Sequence, residues 1–146
     1  MFTGSYSNTV DEKGRVLIPS KLRYSLGERV WLVKGVDGCL NIFTQEDWHG
    51  FASKYITNRT LKDEKSRLLR RFVFSGSSEL EIDRQGRINL PQDLMGFAGI
   101  EKKVVFAGCG DLVELWSAER YEQEMDPGNM DPKELMRDAA EIVDEE

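Results

Sequence analysis

The chain has 146 residues, which suits one domain or two very small ones, and 40% hydrophobic with 32% charged residues indicates a folded globular protein. No apolar run approaches the roughly 18–20 residues of a membrane span, and the first ten residues lack the pattern of a signal peptide. The net charge of −6 is unevenly distributed: residues 119–146 hold eleven acids and three bases, whereas residues 1–118 hold fifteen acids and seventeen bases. The charge therefore does not exclude a nucleic-acid partner for residues 1–118.

The first half predicts four short strands and a helix. The strand "YSNTV" leads into the turn "DEKGR", and the strand "RVLI" follows. Pro19 ends that strand and suits the first turn of the short helix "SKLRYSL", where its missing amide costs nothing. The segments "RVWLVK" and "LNIFT" predict two further strands, joined by a glycine-containing turn at residues 35–38.

A helix is expected to close this first half. Its apolar residues recur at i, i+3, i+4, i+7 and i+8, as on one helix face, and they are Trp48, Phe51, Ala52, Tyr55 and Ile56. This stripe is interpreted as core or oligomer surface, not as a cofactor site.

The segment "TLKDEKSRLLRRFVF", residues 60–74, predicts another helix. Its basic pair, Arg70 and Arg71, is interpreted as the solvated side of this helix or a contact between protomers, with DNA contact as the alternative.

The second half repeats the first. "DRQGRINLPQDL" aligns with "DEKGRVLIPSKL", and Pro91 repeats Pro19. After one inserted residue Gly35 aligns with Gly108, and Trp48 with Tyr121. Two copies of about 45 residues indicate a duplicated supersecondary unit, because solenoids need three or more repeats.

The predicted fold class is α+β, with two β-rich halves bridged by a helix. The expected division is a first module at residues 5–52, a helical linker at 53–76, a second module at 77–124 and an acidic tail at 125–146. The tail contains two Asp-Pro pairs and many acids, so we expect a flexible or frayed-helical segment.

Each copy contains an Asp-x-x-Gly-Arg turn. Three-residue hairpin loops commonly place a glycine in the left-handed region at the position before the second strand. The aspartate and arginine would then face each other across the hairpin neck and could form an ion pair. The residues concerned are Asp11, Gly14 and Arg15 in the first copy and Asp83, Gly86 and Arg87 in the second.

Two interpretations of this pair stay open from the residues alone. The pair could merely staple the hairpin, although an exposed ion pair contributes only about 0–1 kcal/mol. Alternatively, the planar arginine fork could recognise phosphate or the acceptor edge of guanine. Further bases favour an anionic partner: Lys13 and Arg84 at the loop tips, and Lys21 and Arg23 beyond the first proline. The matching positions in the second copy are Asp93 and Met95, so the second copy is expected to be less basic.

The segment "VDEKGRVLIPSKLRYSLG" resembles the swapped-hairpin DNA-binding module of the SpoVT/AbrB type. Two such modules in tandem, joined by "RLLRRFVF", resemble the MraZ transcriptional regulators over roughly residues 1–125. The resemblance implies a pseudo-dimeric barrel built from both modules and a ring-shaped homo-oligomer. It also implies binding of double-stranded DNA, at short direct repeats upstream of the division and cell-wall gene cluster and of the protein's own gene, by a cytoplasmic, nucleoid-associated repressor.

The resemblance also implies roles for individual residues. Arg15 and Arg87 would read DNA, Asp11 and Asp83 would position them, and Gly14 and Gly86 would allow close backbone approach. Lys13 and Arg84 would contact phosphates. Lys21 and Arg23 are counted with them among the DNA-binding residues because of their charge.

Two other classes of function compete with DNA binding. An enzyme is disfavoured because the sole histidine, His49, has no serine or cysteine partner at catalytic spacing, and no phosphate-binding glycine motif occurs. The cysteines, Cys39 and Cys109, show no metal-ligand spacing and are expected to be buried reduced thiols, so no metal or cofactor is expected. An antitoxin-type module that binds a protein partner through the acidic tail remains the alternative.

Overall fold

The computed structural model describes the backbone of residues 1–145 and the side chains of residues 1–142. Over this part of the chain it is a mixed α and β structure. The first half contains β1 Ser5–Thr9, β2 Arg15–Leu17, α1 Ser20–Leu26, β3 Arg29–Lys34, β4 Leu40–Thr44, α2 Gln45–Ala52, a π-helical turn Ser53–Thr57 and α3 Glu64–Ser75. The second half contains β5 Ser78–Glu81, β6 Arg87–Asn89, α4 Gln92–Ala98, β7 Lys103–Gly108, β8 Val113–Ser117, α5 Ala118–Glu124 and α6 Pro132–Glu145. No helix within residues 1–145 is both long and apolar enough to cross a membrane.

Six strands form one antiparallel sheet in which the two halves are interleaved. The strand order is β1-β7-β8-β4-β3-β5, so the first strand of each half pairs with the third strand of the other half. Strands β4 and β8 pair at the centre. Strands β2 and β6, one from each half, pair only with each other in a separate two-stranded ribbon. Because of this exchange, each half completes the sheet of the other.

The large sheet is open over the residues that the structure describes. Strands β1 and β5 lie at its two edges, and no ladder joins them to each other or to the ribbon. The closed barrel implied by the family resemblance is therefore not seen. In its place the ribbon covers one face of an open sheet, and the main core fills the space between them.

The hydrogen-bond register corrects one part of the alignment between the halves. The ladders make Lys34, at the end of β3, the equivalent of Gly108, at the end of β7. The sequence alignment instead predicts Gly35 for that place. The difference arises because two extra residues precede β7 and the β7–β8 loop is one residue shorter than the β3–β4 loop. A glycine is nevertheless required at position 108, because an added Cβ would lie 2.6 Å from the Cα of Thr3.

The main core lies under the β2–β6 ribbon. Val16 and Ile88 point inward from the ribbon and are each 1% exposed. Leu22 of α1 and Leu94 of α4 pack into the same cluster. Full burial of such a side chain contributes roughly 1.5–3 kcal/mol, so the ribbon is firmly attached to the sheet beneath it.

Arg120 of α5 connects the two halves on another side of the molecule. Its Nη1 donates to the carbonyl oxygens of Gly38 and Phe97, each at 3.1 Å. Gly38 belongs to the β3–β4 loop and Phe97 to the last turn of α4. One guanidinium thus links a loop and a helix end that lie far apart in sequence.

A second cluster lies beneath α2, the π-helical turn and α3. The predicted apolar stripe is confirmed for Trp48, Ala52 and Ile56, which are buried in this cluster. Tyr55 is not buried with them: its side chain is 50% exposed, so for this residue the alternative of an oligomer surface stays a prediction. The reason for this exposure is the change to π-helix at Ser53, because a wider helical turn rotates the stripe away from 3.6 periodicity.

Helix α3 begins four residues later than the sequence predicts. Asp63 is its N-cap: one carboxylate oxygen accepts from the backbone N–H of Lys65 and the other from the hydroxyl of Ser66, each at 3.0 Å. An aspartate there ends the preceding turn and satisfies the first helical amides. Leu61 and Leu68 remain 58% and 60% exposed.

The acidic tail contains α6, whose described side chains, up to residue 142, are exposed. Leu135, Met136 and Ile142 are its exposed apolar residues, and acidic side chains surround them. The tail predicted as flexible or frayed-helical is therefore helical from Pro132 onward. The division into modules, linker and tail at the expected boundaries stays a prediction.

Candidate nucleic-acid interface

The Asp11–Arg15 turn is closed by hydrogen bonds of both its backbone and its aspartate. The N–H of Asp11 donates to the carbonyl of Arg15 at 2.8 Å, and the N–H of Gly14 donates to the carbonyl of Asp11 at 3.0 Å. The Asp11 Oδ1 accepts from the N–H groups of Lys13 and Arg15, both at 2.9 Å. Gly14 has a φ of 82°, in the left-handed region where only glycine is unstrained.

The Asp83–Arg87 turn has the same hydrogen bonds. Asp83 Oδ1 accepts from the N–H groups of Gln85 and Arg87 at 2.9 Å, and Gly86 has a φ of 87°. The two turns are thus copies of one geometry, as the repeated sequence predicts.

An ion pair completes each turn. The Nε of Arg15 lies 2.9 Å from Oδ2 of Asp11, and the Nε of Arg87 lies 2.9 Å from Oδ2 of Asp83. The arginine side chains are 33% and 28% exposed, so neither guanidinium is sealed inside the protein. Among residues 1–142, nothing accepts a hydrogen bond from the terminal nitrogens of either fork. Each guanidinium is therefore held through its Nε, and its terminal nitrogens are available to a ligand.

The aspartates of these turns are poor proton donors. The backbone N–H of Arg15 lowers the pKa of Asp11 below its usual 3.8. Burial, the second-largest effect, opposes this, and the Arg15 guanidinium and the N–H of Lys13 add to the lowering. The backbone N–H of Arg87 lowers the pKa of Asp83 in the same way. Both carboxylates are therefore charged at neutral pH and orient the arginines, which does not suit acid catalysis.

The β2–β6 ribbon places both arginines on one outer face. Val16 pairs with Ile88 and both point into the core. Because side chains alternate along a strand, the flanking residues point the opposite way. These are Arg15 and Leu17 of β2, and Arg87 and Asn89 of β6, which pair as Arg15 with Asn89 and Leu17 with Arg87. A two-stranded ribbon of this kind fits the width of the DNA major groove.

The turns are also joined to the opposite strand of the ribbon. The N–H of Ile18 donates to the carbonyl of Gly86 at 2.9 Å, and the N–H of Leu90 donates to the carbonyl of Gly14 at 2.8 Å. Each turn is therefore fixed by backbone hydrogen bonds from the other half. This coupling sets the spacing of the two arginine forks independently of any ligand.

The remaining predicted residues are not arranged as the sequence suggests. Lys13, Arg84 and Lys21 are exposed near the turns. Arg23, from the first half, lies against the second turn, where its Nη1 donates to the carbonyl of Gln85 at 3.3 Å.

The expectation that the second copy is less basic is therefore wrong at the level of the turns. Strand exchange carries Arg23 of helix α1 to the Asp83–Arg87 turn, while Met95 of α4 lies beside Gly14 in the first.

Sequence reasoning missed two outward residues of the ribbon, Leu17 and Asn89. Leu17 is an apolar side chain, 46% exposed, that lies opposite Arg87 on this face, and its carbonyl accepts from Nδ2 of Asn8. Asn89 is exposed and lies opposite Arg15. The sequences "RVL" and "RIN" would have allowed their prediction. Side chains alternate along a strand, so if Val16 and Ile88 point into the core, the residues on either side of them point outward.

Two other candidate sites are not supported by the geometry. Arg70 stacks on the ring of Phe74, 5.7 Å from its centroid, which fits a structural role on α3. Burial, with the nearby Glu114 carboxylate, raises the pKa of the Cys39 thiol to about 12 and that of Cys109 to about 11. Cys39 is buried, so its thiol stays protonated near neutral pH, whereas Cys109, which was expected to be buried, is exposed.

Comparison with known proteins gives consistent matches to one family. The family described as "MraZ protein, putative antitoxin-like" matches residues 1–72 and again residues 73–139. The "Transcriptional regulator MraZ" of Clostridium tetani is 40% identical over 142 residues, covering 97% of this chain and 99% of that protein. The protein of the same name from Acetivibrio thermocellus is 41% identical over 135 residues, covering 92% and 94%. The one from Thermoanaerobacter pseudethanolicus is 44% identical over 123 residues, covering 84% and 85%.

Proposed function

Because the chain belongs to the MraZ family, we propose that it is a transcriptional regulator that binds double-stranded DNA through the outer face of the β2–β6 ribbon. The observation that carries this proposal is the pair of matching turns. Each turn holds an arginine at Nε through an aspartate and leaves the outer edge of the fork available on a shared face. A regulator of this kind needs no catalytic residue, cofactor or metal.

The ribbon supplies the chemistry of both base and phosphate recognition. In the major groove, the forks of Arg15 and Arg87 match the O6 and N7 acceptors of guanine. Asn89, on the same face, has the amide that pairs with adenine, and Leu17 offers an apolar contact to a thymine methyl. The exposed bases Lys13, Arg84 and Lys21 would contact phosphates, which fix position but do not read sequence.

One ribbon alone would bind weakly, since each bidentate base contact contributes only about 1–3 kcal/mol. We therefore propose that several copies act together in a ring-shaped homo-oligomer on repeated promoter elements, because linked sites strengthen binding by roughly 10² to 10⁴. The proposed target is the set of short direct repeats upstream of the division and cell-wall gene cluster, including the protein's own promoter, where binding at the nucleoid would repress transcription.

Exposed apolar side chains support self-association. Leu61 and Leu68 are 58% and 60% exposed, and Tyr55, 50% exposed, belongs to the adjacent π-helical turn. Apolar groups clustered on one surface are typical of protein interfaces. Leu68→Lys is expected to shift the mass measured by light scattering toward that of a single chain, while circular dichroism stays unchanged. An unchanged mass would place the interface elsewhere.

The principal experiment measures DNA binding of Arg15→Ala, Arg87→Ala and the double variant. A gel shift on a duplex from the region upstream of the gene should show about 5-fold to 160-fold weaker binding for each single variant and none for the double, following the 1–3 kcal/mol of a bidentate contact. Arg137→Ala is the matched control, because it removes one arginine from α6 and leaves the ribbon intact. Light scattering checks that each variant keeps its assembly state. Normal binding by the double variant would refute the proposal.

A second candidate function is binding of a protein partner by the acidic tail. The family description itself includes the antitoxin-like class, and α6 exposes Leu135, Met136 and Ile142 among acidic residues. Deleting residues 126–146 separates the two functions. A DNA regulator should keep or gain affinity for the duplex, because the deleted segment carries excess negative charge. Loss of in vivo activity with intact DNA binding would favour the protein-partner function.

A further inference from the structure

The two turns differ in what lies over their glycines. Arg23 of α1 covers Gly86, with its Cδ 2.9 Å from the position of an added Cβ, and its Nη1 donates to the carbonyl of Gln85 at 3.3 Å. At the first turn the equivalent residue is Met95 of α4, whose Sδ lies 3.9 Å from the corresponding position at Gly14. The residue that packs against the turn glycine is therefore an arginine at the second turn and a methionine at the first.

The charged residues around the two turns also come from different elements. The first turn contains two bases and two acids: Lys13 and Arg15, with Asp11 and Glu12. The second turn has three bases and one acid around its tip: Arg84 and Arg87 from the turn and Arg23 from α1, with Asp83. Two further acids, Glu28 and Glu81, line a cleft with Arg84 on another side of this turn, and Glu101 and Lys102 line the cleft beside the first turn. With these residues included, each turn has three bases and three acids nearby, and the turns differ in that the Arg23 guanidinium lies directly over Gly86.

On the basis of the function proposed above, we propose that the two turns contribute unequally to DNA binding and that Arg23 is a phosphate-contacting residue of the second turn. Arg23 uses Nη1 for the Gln85 carbonyl, so its other guanidinium nitrogens are available to a phosphate beside the one contacted by Arg84. A partly buried, clamped arginine loses less conformational entropy on binding than an exposed lysine. The Asp83–Arg87 turn is the stronger anchor, and the Asp11–Arg15 turn depends more on base contact.

Unequal DNA binding by the two turns would favour one orientation of the β2–β6 ribbon on the duplex. The β2–β6 pair is nearly two-fold symmetric in its backbone, so it could lie on DNA in either of two opposite orientations. A stronger phosphate anchor at one end favours one of them. Repeated sites in the same orientation would then suit several copies arranged around a ring better than inverted sites would.

Reciprocal exchange of the two helix residues tests the proposal. Arg23→Met gives the second turn the residue of the first, and Met95→Arg does the reverse. Binding is measured on the upstream duplex and on a random duplex of equal length, between about 50 and 200 mM salt. Arg23→Met should weaken binding to both duplexes about tenfold and make the log–log salt slope shallower by about 0.9 for each protomer bound. Met95→Arg should make the slope steeper by a similar amount. Arg23→Lys, which keeps the charge, should preserve the slope.

The outcomes distinguish this inference from the proposed function. Failure of DNA binding to depend on Arg15 and Arg87 would overturn both. If the Arg15 and Arg87 variants lose binding but Arg23→Met keeps the wild-type salt slope, only the inference is overturned, and Arg23 acts as a structural clamp. A steeper slope for Met95→Arg would support the inference even if Arg23→Met unfolds, and an unchanged slope for Met95→Arg would overturn it.

Discussion

Replacing Gly86 by alanine tests the contact between the two halves, and Gly14→Ala provides a matched comparison. Both glycines have φ near +85°, at 87° and 82°, and an alanine there costs about 1–2 kcal/mol in backbone strain. At Gly14 the new Cβ would lie 3.3 Å from Oδ1 of Asn89 and 3.4 Å from the carbonyl oxygen of Leu90, so small shifts accommodate it. We expect Gly14→Ala to lower the free energy of unfolding by about 1–2 kcal/mol, the strain alone.

At Gly86 the new Cβ would occupy the place of the Arg23 guanidinium, so that side chain must leave. The strain is the same as at Gly14, but the hydrogen bond from Arg23 to Gln85 is also lost, at a net cost of about 0.5–1.5 kcal/mol. Gly86→Ala should therefore be more destabilising than Gly14→Ala by about 1 kcal/mol.

The assay is urea unfolding, followed by circular dichroism, of wild type, Gly86→Ala, Arg23→Met and the double variant. All four are compared at one protein concentration, because assembly makes stability concentration-dependent. The double variant should be less destabilised than the sum of the single ones by about 1 kcal/mol, since both remove the same contact. Additivity within about 0.3–0.5 kcal/mol would refute the idea that Arg23 is held against Gly86.

Three further predictions follow from contacts elsewhere. Asp83→Asn should lower the urea midpoint at pH 7, and its difference from wild type should shrink as the pH falls through the lowered pKa of Asp83, because the stabilisation is complete only above the unfolded value near 3.8. Arg120→Ala should lower the free energy of unfolding by about 1 kcal/mol, since it removes hydrogen bonds that link the two halves, whereas Arg137→Ala should have little effect. Cys39 should react with iodoacetamide at pH 8 far more slowly than in the urea-unfolded chain, as measured by mass spectrometry, because its thiol is buried and burial raises its pKa to about 12.

Each of these has a clear contrary result. A difference for Asp83→Asn that stays constant from pH 7 to pH 3 would show that the carboxylate charge does not stabilise the turn. Equal stability of Arg120→Ala and wild type would mean that Arg120 does not connect the halves in solution. Fast alkylation of Cys39 in the folded protein near pH 8 would show that its thiol ionises easily.

The turns were predictable because their structure is local. Three residues between an aspartate and an arginine, with glycine in the third place, specify the loop type, the positive φ and the facing of the charged pair. Asp11, Gly14 and Arg15 needed no knowledge of the rest of the chain. The same holds for the prolines that end β2 and β6.

The position of Arg23 was not predictable by the same reasoning. The sequence repeat places Arg23 next to the first turn, but strand exchange places it on the second. Pairing of β1 with β7 and of β5 with β3 is decided by contacts distant in sequence, which periodicity does not reveal. The π-helical turn that exposes Tyr55 and the capping of α3 by Asp63 also depend on packing that exceeds local helix preference.

The interleaved sheet also affects how the protein is made. Thr9 of β1 pairs with Lys103 of β7, so the first strand has no ladder partner until the ribosome has synthesised 94 further residues. At about 5–20 residues per second, translation takes roughly 5 to 20 seconds over that distance. During this interval the emerging chain exposes strand edges that another nascent copy on the same messenger could bind. We therefore expect the rate of translation between the two halves to influence whether a chain pairs with itself or exchanges strands with a neighbouring copy.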